Sequence, residues 1–196
     1  MTFPTTSKEL ASTFTRQGGK VCVLYGDPLV FKLSLHMASK AMLAGTPIAV
    51  IDGCNRFDVH FLVRLAQQQH RNPEQFLNRI FISRGFTCFQ MESAVSEKLP
   101  LFLQKNQSKT ALIFGLLDTF YDEQAQTQQV EQMLSRVLAV FHRLTKDGIS
   151  LLLTSMDWNV IPPERNRLFK RVKGFADRVF YLTLNEERKP KLFLED

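Results

Sequence analysis

The chain has 196 residues and 44 % hydrophobic content, enough for one filled core and too apolar for a disordered polymer. Its three cysteines, Cys22, Cys54 and Cys88, include no C-x-x-C pair, which excludes a disulfide framework and a thiolate zinc site. The net charge of +6 is concentrated: nine basic residues stand against three acidic ones between Arg165 and Lys191, so the remainder is nearly neutral.

The first residues lack the basic segment and apolar run of a signal peptide, and no apolar stretch is long enough to span a bilayer. The expectation is one domain over residues 1–196 with no membrane partner. A reducing compartment follows from the cysteines, and the cytoplasm is expected, a nucleus being compatible with the same features.

Along the chain, short β-rich apolar runs alternate with longer amphipathic ones, the pattern of an α/β domain. Val21–Tyr25 reads as the first strand, followed by a helix from Val30 to Leu43 that stops at Gly45-Thr-Pro47. Ile48–Ile51 is the second strand and Phe57–Gln69 the second helix. Asn72-Pro73-Glu74 is a helix start, with an Asn cap, a proline in the first turn and an acid near the positive end. A strand is expected at Ile80–Ser83 and a helix at Phe89–Leu99, with Gln104–Lys109 as a linker. Ala111–Leu117 reads as a buried strand because its apolar run does not alternate. Apolar residues from Val130 to Leu144 recur at helical spacing, and Ile149–Thr154 forms another central strand. After an irregular stretch containing Pro162-Pro163, Arg178–Leu184 and Lys191–Leu194 flank a turn and predict a terminal hairpin. The 17 phenylalanines fall mostly in strands and apolar stripes and are read as core.

The first strand–helix junction carries a motif. A working phosphate loop reads G-x-x-x-x-G-K-[ST]. Gly26 and Lys32 keep that spacing, but Phe31 stands at the second glycine and Leu33 at the hydroxyl that would hold Mg²⁺. Asp27 adds a negative charge and Pro28 removes an N–H donor.

Three further stretches extend the pattern. Ile51-Asp-Gly-Cys-Asn-Arg-Phe57 resembles I-D-T-E-G-T-F, Asn72-Pro-Glu-Gln-Phe-Leu-Asn-Arg-Ile80 resembles D-P-E-x-x-L-D-N-I, and Ser83-Arg-Gly-Phe86 resembles A-R-A-[YF]. In order and spacing these pieces resemble the RecA-like recombinase family, in its archaeal and eukaryotic branch, from Gly18 to Pro163. The resemblance implies a P-loop-type core with a mainly parallel sheet between helices, nucleotide at the first strand–helix turn, DNA contacts from later loops, and assembly into filaments or small oligomers.

It also implies which chemistry is missing. Cys54 falls where the family carries the glutamate that activates water, while Asp52 is retained but is not that base. Gly115 falls at the magnesium-associated aspartate, and Asp118 lies three residues on, able to serve only if the strand slips or bulges. Met156 replaces the glutamine that senses nucleotide. No histidine pair among His36, His60, His70 and His142 has ligand spacing, so neither a metal nor a cofactor is expected.

In the family, the segment after the fifth strand contacts DNA. Here Arg165, Arg167, Lys170, Arg171 and Lys173 supply cations and Trp158 an aromatic platform, the ingredients of single-strand binding. The expectation is a catalytically inactive accessory protein of recombination or repair that binds single-stranded DNA and assembles with itself or a RecA-like subunit. An unconventional NTPase built on Lys32, Asp52 and Asp118, or a purely protein-binding scaffold, are the alternatives.

Overall fold

Seven strands form one sheet in the order β3-β2-β4-β5-β1-β6-β7. They are β1 (Val21–Gly26), β2 (Ile48–Asp52), β3 (Ile80–Arg84), β4 (Thr110–Phe114), β5 (Ser150–Met156), β6 (Arg178–Leu184) and β7 (Pro190–Glu195). The computed structural model describes residues 10–12, 18–121, 125–157 and 163–195. The helices are α1 (Leu29–Leu43), α2 (Val59–Gln68), α3 (Pro73–Leu77), α4 (Cys88–Ser93), α5 (Leu99–Lys105), α6 (Thr127–Lys146) and α7 (Asn166–Phe175).

The first six strands are parallel to their neighbours, and only β7 returns antiparallel, as the terminal hairpin. The apolar runs of the central strands β1, β2 and β4 follow from burial on both faces. On β1, Val21, Val23 and Tyr25 join one core with α6 and the α4–α5 segment, while Cys22 and Leu24 join another with α1 and α2. β2, β4 and β5 split in the same alternating way.

Local signals place most boundaries. Asn72 caps α3, its Oδ1 accepting from Glu74 N–H at 2.8 Å, and Asp58 caps α2 by accepting from Phe61 N–H at 2.8 Å. Both supply acceptors that the first helical turn lacks.

Four expectations need correction. The strand expected to reach Leu117 ends at Phe114, because Gly115 turns left-handed at φ 58°; Leu116 and Leu117 are apolar because the following turn is buried. The helix expected to stop at Leu99 continues to Lys105 through a wider π turn over Ala94–Lys98. Pro100 has no N–H to return one turn back, and Leu99 N–H bonds the Ala94 carbonyl instead. The supposed linker is therefore partly helical, and Ser108 anchors its end by donating to the Pro47 carbonyl at 2.6 Å. Residues 163–175, read as irregular, form a single 3₁₀ turn and α7. Most described phenylalanines are buried or half-buried, as expected, and the exposed ones are Phe86, Phe89 and Phe193, at 70 %, 58 % and 49 %.

Candidate functional site

The carboxyl ends of β1, β2, β4 and β5 lie side by side, with Gly26 paired to Met156 and Asp52 to Phe114. This edge gathers residues that the sequence resemblance singled out, but in two separate groups.

The first group is the β1–α1 turn. α1 begins at Leu29, so only Asp27 and Pro28 separate it from β1. A loop that wraps phosphate needs several free N–H groups in one concavity; here none remains. Asp27 N–H donates to the Leu182 carbonyl at 2.8 Å, Val30 N–H to the Asp27 carbonyl at 2.9 Å and Phe31 N–H to the Pro28 carbonyl at 3.4 Å. Leu29 N–H donates to the Asp27 carboxylate at 2.9 Å, so a side chain of the protein stands where an anion would. Pro28 has no N–H at all.

Phe31 is 4 % exposed and meets Phe114 edge-on at 5.2 Å between ring centroids. It fills the space between α1 and the sheet. Leu33 is also buried. The nearest hydroxyl, Ser34, is buried and committed: it donates to the Val30 carbonyl at 2.9 Å and shares a hydrogen bond with Thr154 at 2.8 Å. Gly26 has a local reason to be glycine. Its φ is 122°, and a Cβ there would run into the Leu182 carbonyl of β6.

The second group joins β2 to β4. Asp52 is 1 % exposed and collects N–H donors from Cys54 (3.3 Å), Arg56 and Phe57 (both 3.1 Å), with the Arg84 guanidinium at 3.8 Å. It organises the loop after β2. A Cβ on Gly115 would strike the Cys54 side chain and crowd the Asp118 carboxyl carbon. So Cys54, Gly115 and Asp118 are neighbours, brought together by the left-handed turn at Gly115 and not by a slipped strand.

Burial, then the negative charges of Asp118 and Asp52, push the Cys54 thiol well above its ordinary range. The neutral thiol is neither base nor nucleophile. Among the described residues no set of three His, Cys, Asp or Glu side chains converges to hold a metal.

Lys32 belongs to neither group. With Asp27, Phe31, Arg56, Phe57 and Asp58 it lines a cleft of about 570 Å³ between the starts of α1 and α2. Arg56 and Asp58 went unnoticed in the sequence; the cap spacing from Asp58 to Phe61 is the signal that could have marked the edge of this cleft. Met156 closes the β5 end, its Sδ 4.0 Å from the Arg56 guanidinium.

The basic segment is largely spoken for. Arg165 is 2 % exposed and donates to the carbonyls of Phe120 (2.9 Å) and Ala125 (2.5 Å), so it staples the chain internally and cannot reach DNA. Arg167 pairs with Glu131 of α6, and Arg171 donates to Ser135 at 2.8 Å. Lys173 lies 2.9 Å from Glu195 and 5.0 Å from the Tyr25 ring centroid. Of these five cations, Lys170 alone is exposed with no acidic partner among the described residues. Trp158 lies outside them.

No protein-family model matches this chain, and no curated protein matches it. Among the described residues, no helix is long and apolar enough to cross a membrane.

Proposed function

We propose that this chain is a catalytically silent RecA-like domain that works by binding, as an accessory to DNA recombination or repair. The observation that carries the silent half is the β1–α1 turn. Its N–H groups bond within the protein, the Asp27 carboxylate occupies the anion's place, and Phe31 fills the core. Phosphoryl transfer depends on positioned donors and a metal bridging the phosphates, and none of Phe31, Leu33, Cys54, Gly115 and Met156 supplies either. The RecA-like half is supported by the ordered sequence resemblance from Gly18 to Pro163 and by the mainly parallel sheet.

Calorimetric titration with Mg²⁺–ATP and a phosphate-release assay test the first half. Neither binding nor turnover is expected. Saturable ATP binding with release that disappears in Lys32→Ala would favour an unconventional NTPase and overturn the reading.

The DNA half rests on the basic excess; of the first five cations after the fifth strand, Arg167 and Lys170 are the exposed ones. So few phosphate contacts give weak single-strand binding, with a salt slope of roughly 0.7 per phosphate neutralised. Fluorescence anisotropy across a salt series should show Lys170→Glu weakening that binding and flattening the slope. If no binding appears at low salt, the role narrows to assembly with itself or a RecA-like subunit. Light scattering at several concentrations measures self-assembly directly.

A further inference from the structure

We propose that the cleft between the starts of α1 and α2 is a receptor for a carboxylate side chain presented by a partner protein, with Lys32 and Arg56 as its anchors. This deepens the reading of a silent domain that acts by binding, and rests on it.

The cleft has a volume of about 570 Å³. Two cations line it without an acidic partner among the described residues. Lys32 forms no ion pair, and the Arg56 guanidinium reaches only the Met156 sulfur at 4.0 Å. The two acids in the lining are already engaged by the helix starts. Asp27 accepts from Leu29 N–H at 2.9 Å and Asp58 from Phe61 N–H at 2.8 Å. Neither carboxylate is bonded to Lys32 or Arg56.

The same lining selects among anions. A triphosphate needs a backbone nest, which the β1–α1 turn has closed, and its several charges would face Asp27 and Asp58 in the same lining. A single carboxylate brings one charge, fits the planar fork of a guanidinium and accepts from an ammonium. Phe57, and Val59 at 37 % exposure, give apolar wall for the residues on either side of the acid. The ligand class is therefore a peptide segment with one Glu or Asp between apolar side chains. Lys32, the position where a nucleotide enzyme holds phosphate, here holds a partner.

The test is an amide chemical-shift titration of the full isotope-labelled chain with acetyl-Leu-Glu-Leu-amide, its Gln counterpart and Mg²⁺–ATP. The Glu peptide should shift the amides of Lys32, Arg56 and Val59 saturably at concentrations on the order of millimolar, and the Gln peptide should bind roughly tenfold more weakly. Lys32→Gln and Arg56→Gln should each erode that preference. Arg56 lies on an exposed loop, so its variant tests the site even if Lys32→Gln unfolds. Equal binding of the two peptides, or no shift from either, overturns the receptor but leaves the silent domain standing. ATP shifting the same amides at lower concentration than the Glu peptide assigns the cleft to phosphate and overturns both.

Discussion

At the β1–α1 turn the protein keeps the outline of a phosphate loop and turns its donors inward. At α7 it keeps a row of cations and hands most of them to α6 and to Glu195 of β7. The first region is closed by backbone: the helix starts early, Asp27 folds back onto Leu29 N–H, and Phe31 enters the core. The second is closed by side chains, with Arg165 buried against two carbonyls and Arg167, Arg171 and Lys173 each held by a neighbour. Against both stands the α1–α2 cleft, where Lys32 and Arg56 have no acid to hold. Residue type supplies a donor or a charge; only what the fold leaves unpaired is available to a partner.

The sharpest way to break this contrast is at Phe31. If the ring is structural filling, Phe31→Ala should lower stability by roughly 3–5 kcal/mol, the usual cost of emptying a buried phenylalanine site. Urea unfolding measures it. A neutral effect, accompanied by ATP binding, would mean the ring merely covers a usable loop.

Arg165 against Lys170 comes next. Arg165→Ala leaves the buried Phe120 carbonyl and the half-buried Ala125 carbonyl without their charged donor and should cost about 1.5–3 kcal/mol, whereas Lys170→Ala on the surface should stay within about 0.5 kcal/mol. Thermal melts of the pair decide it. The reverse order would put Arg165 in solvent and return the whole segment to DNA.

Gly115→Ala probes the turn that brings Cys54 and Asp118 together. The left-handed backbone alone should cost roughly 1–2 kcal/mol, and the collision with Cys54 adds to it. Cys54→Gly in the same chain should recover the collision part and not the backbone part. Full additivity of the two substitutions would show that the side chains do not meet.

The last comparison concerns the thiols, whose effect on stability is confined to alkaline pH. Burial, followed by the charge of Asp177, pushes Cys22 up to about 12 from an ordinary 9.0. A folded-state value above the unfolded one contributes stability that is complete below pH 9.0 and is lost as the pH rises toward 12. Cys54 shifts in the same direction, so alkylation of both in native protein at neutral pH should be far slower than after denaturation. Fast labelling of Cys54 in the folded chain would mean an open, ionised thiol and a different second group.

Much of the fold was legible because its signals are local. The Asn72 cap, the helical stripe of α6 and the hairpin strands Arg178–Leu184 and Pro190–Glu195 are set by residues close in sequence. What misled were places where a distant neighbour decides. Leu116 and Leu117 look like strand, but Gly115 turns left-handed and packs against Cys54, more than sixty residues earlier, leaving no room for a side chain at that turn. α7 reads in sequence as part of an irregular stretch because its buried face is short: Leu168 and Val172 pack inward, while Arg167, Arg171 and Lys173 beside them find partners on α6 and β7.

The sequence by itself determined the α/β alternation, the sheet's buried central strands and the departures of Phe31 and Leu33 from a phosphate-loop pattern, since periodicity and chemical identity need no partner to be read. The tertiary structure alone decided which of the remaining polar groups are free. Asp27 and Asp52 became loop organisers, Arg165 a buried staple, and Lys32 and Arg56 the open cations of a cleft. Hydrogen bonds and ion pairs form between groups that the chain brings together from far apart, and that pairing is written in the packing of β2, β4, α1 and α6, not in any one segment.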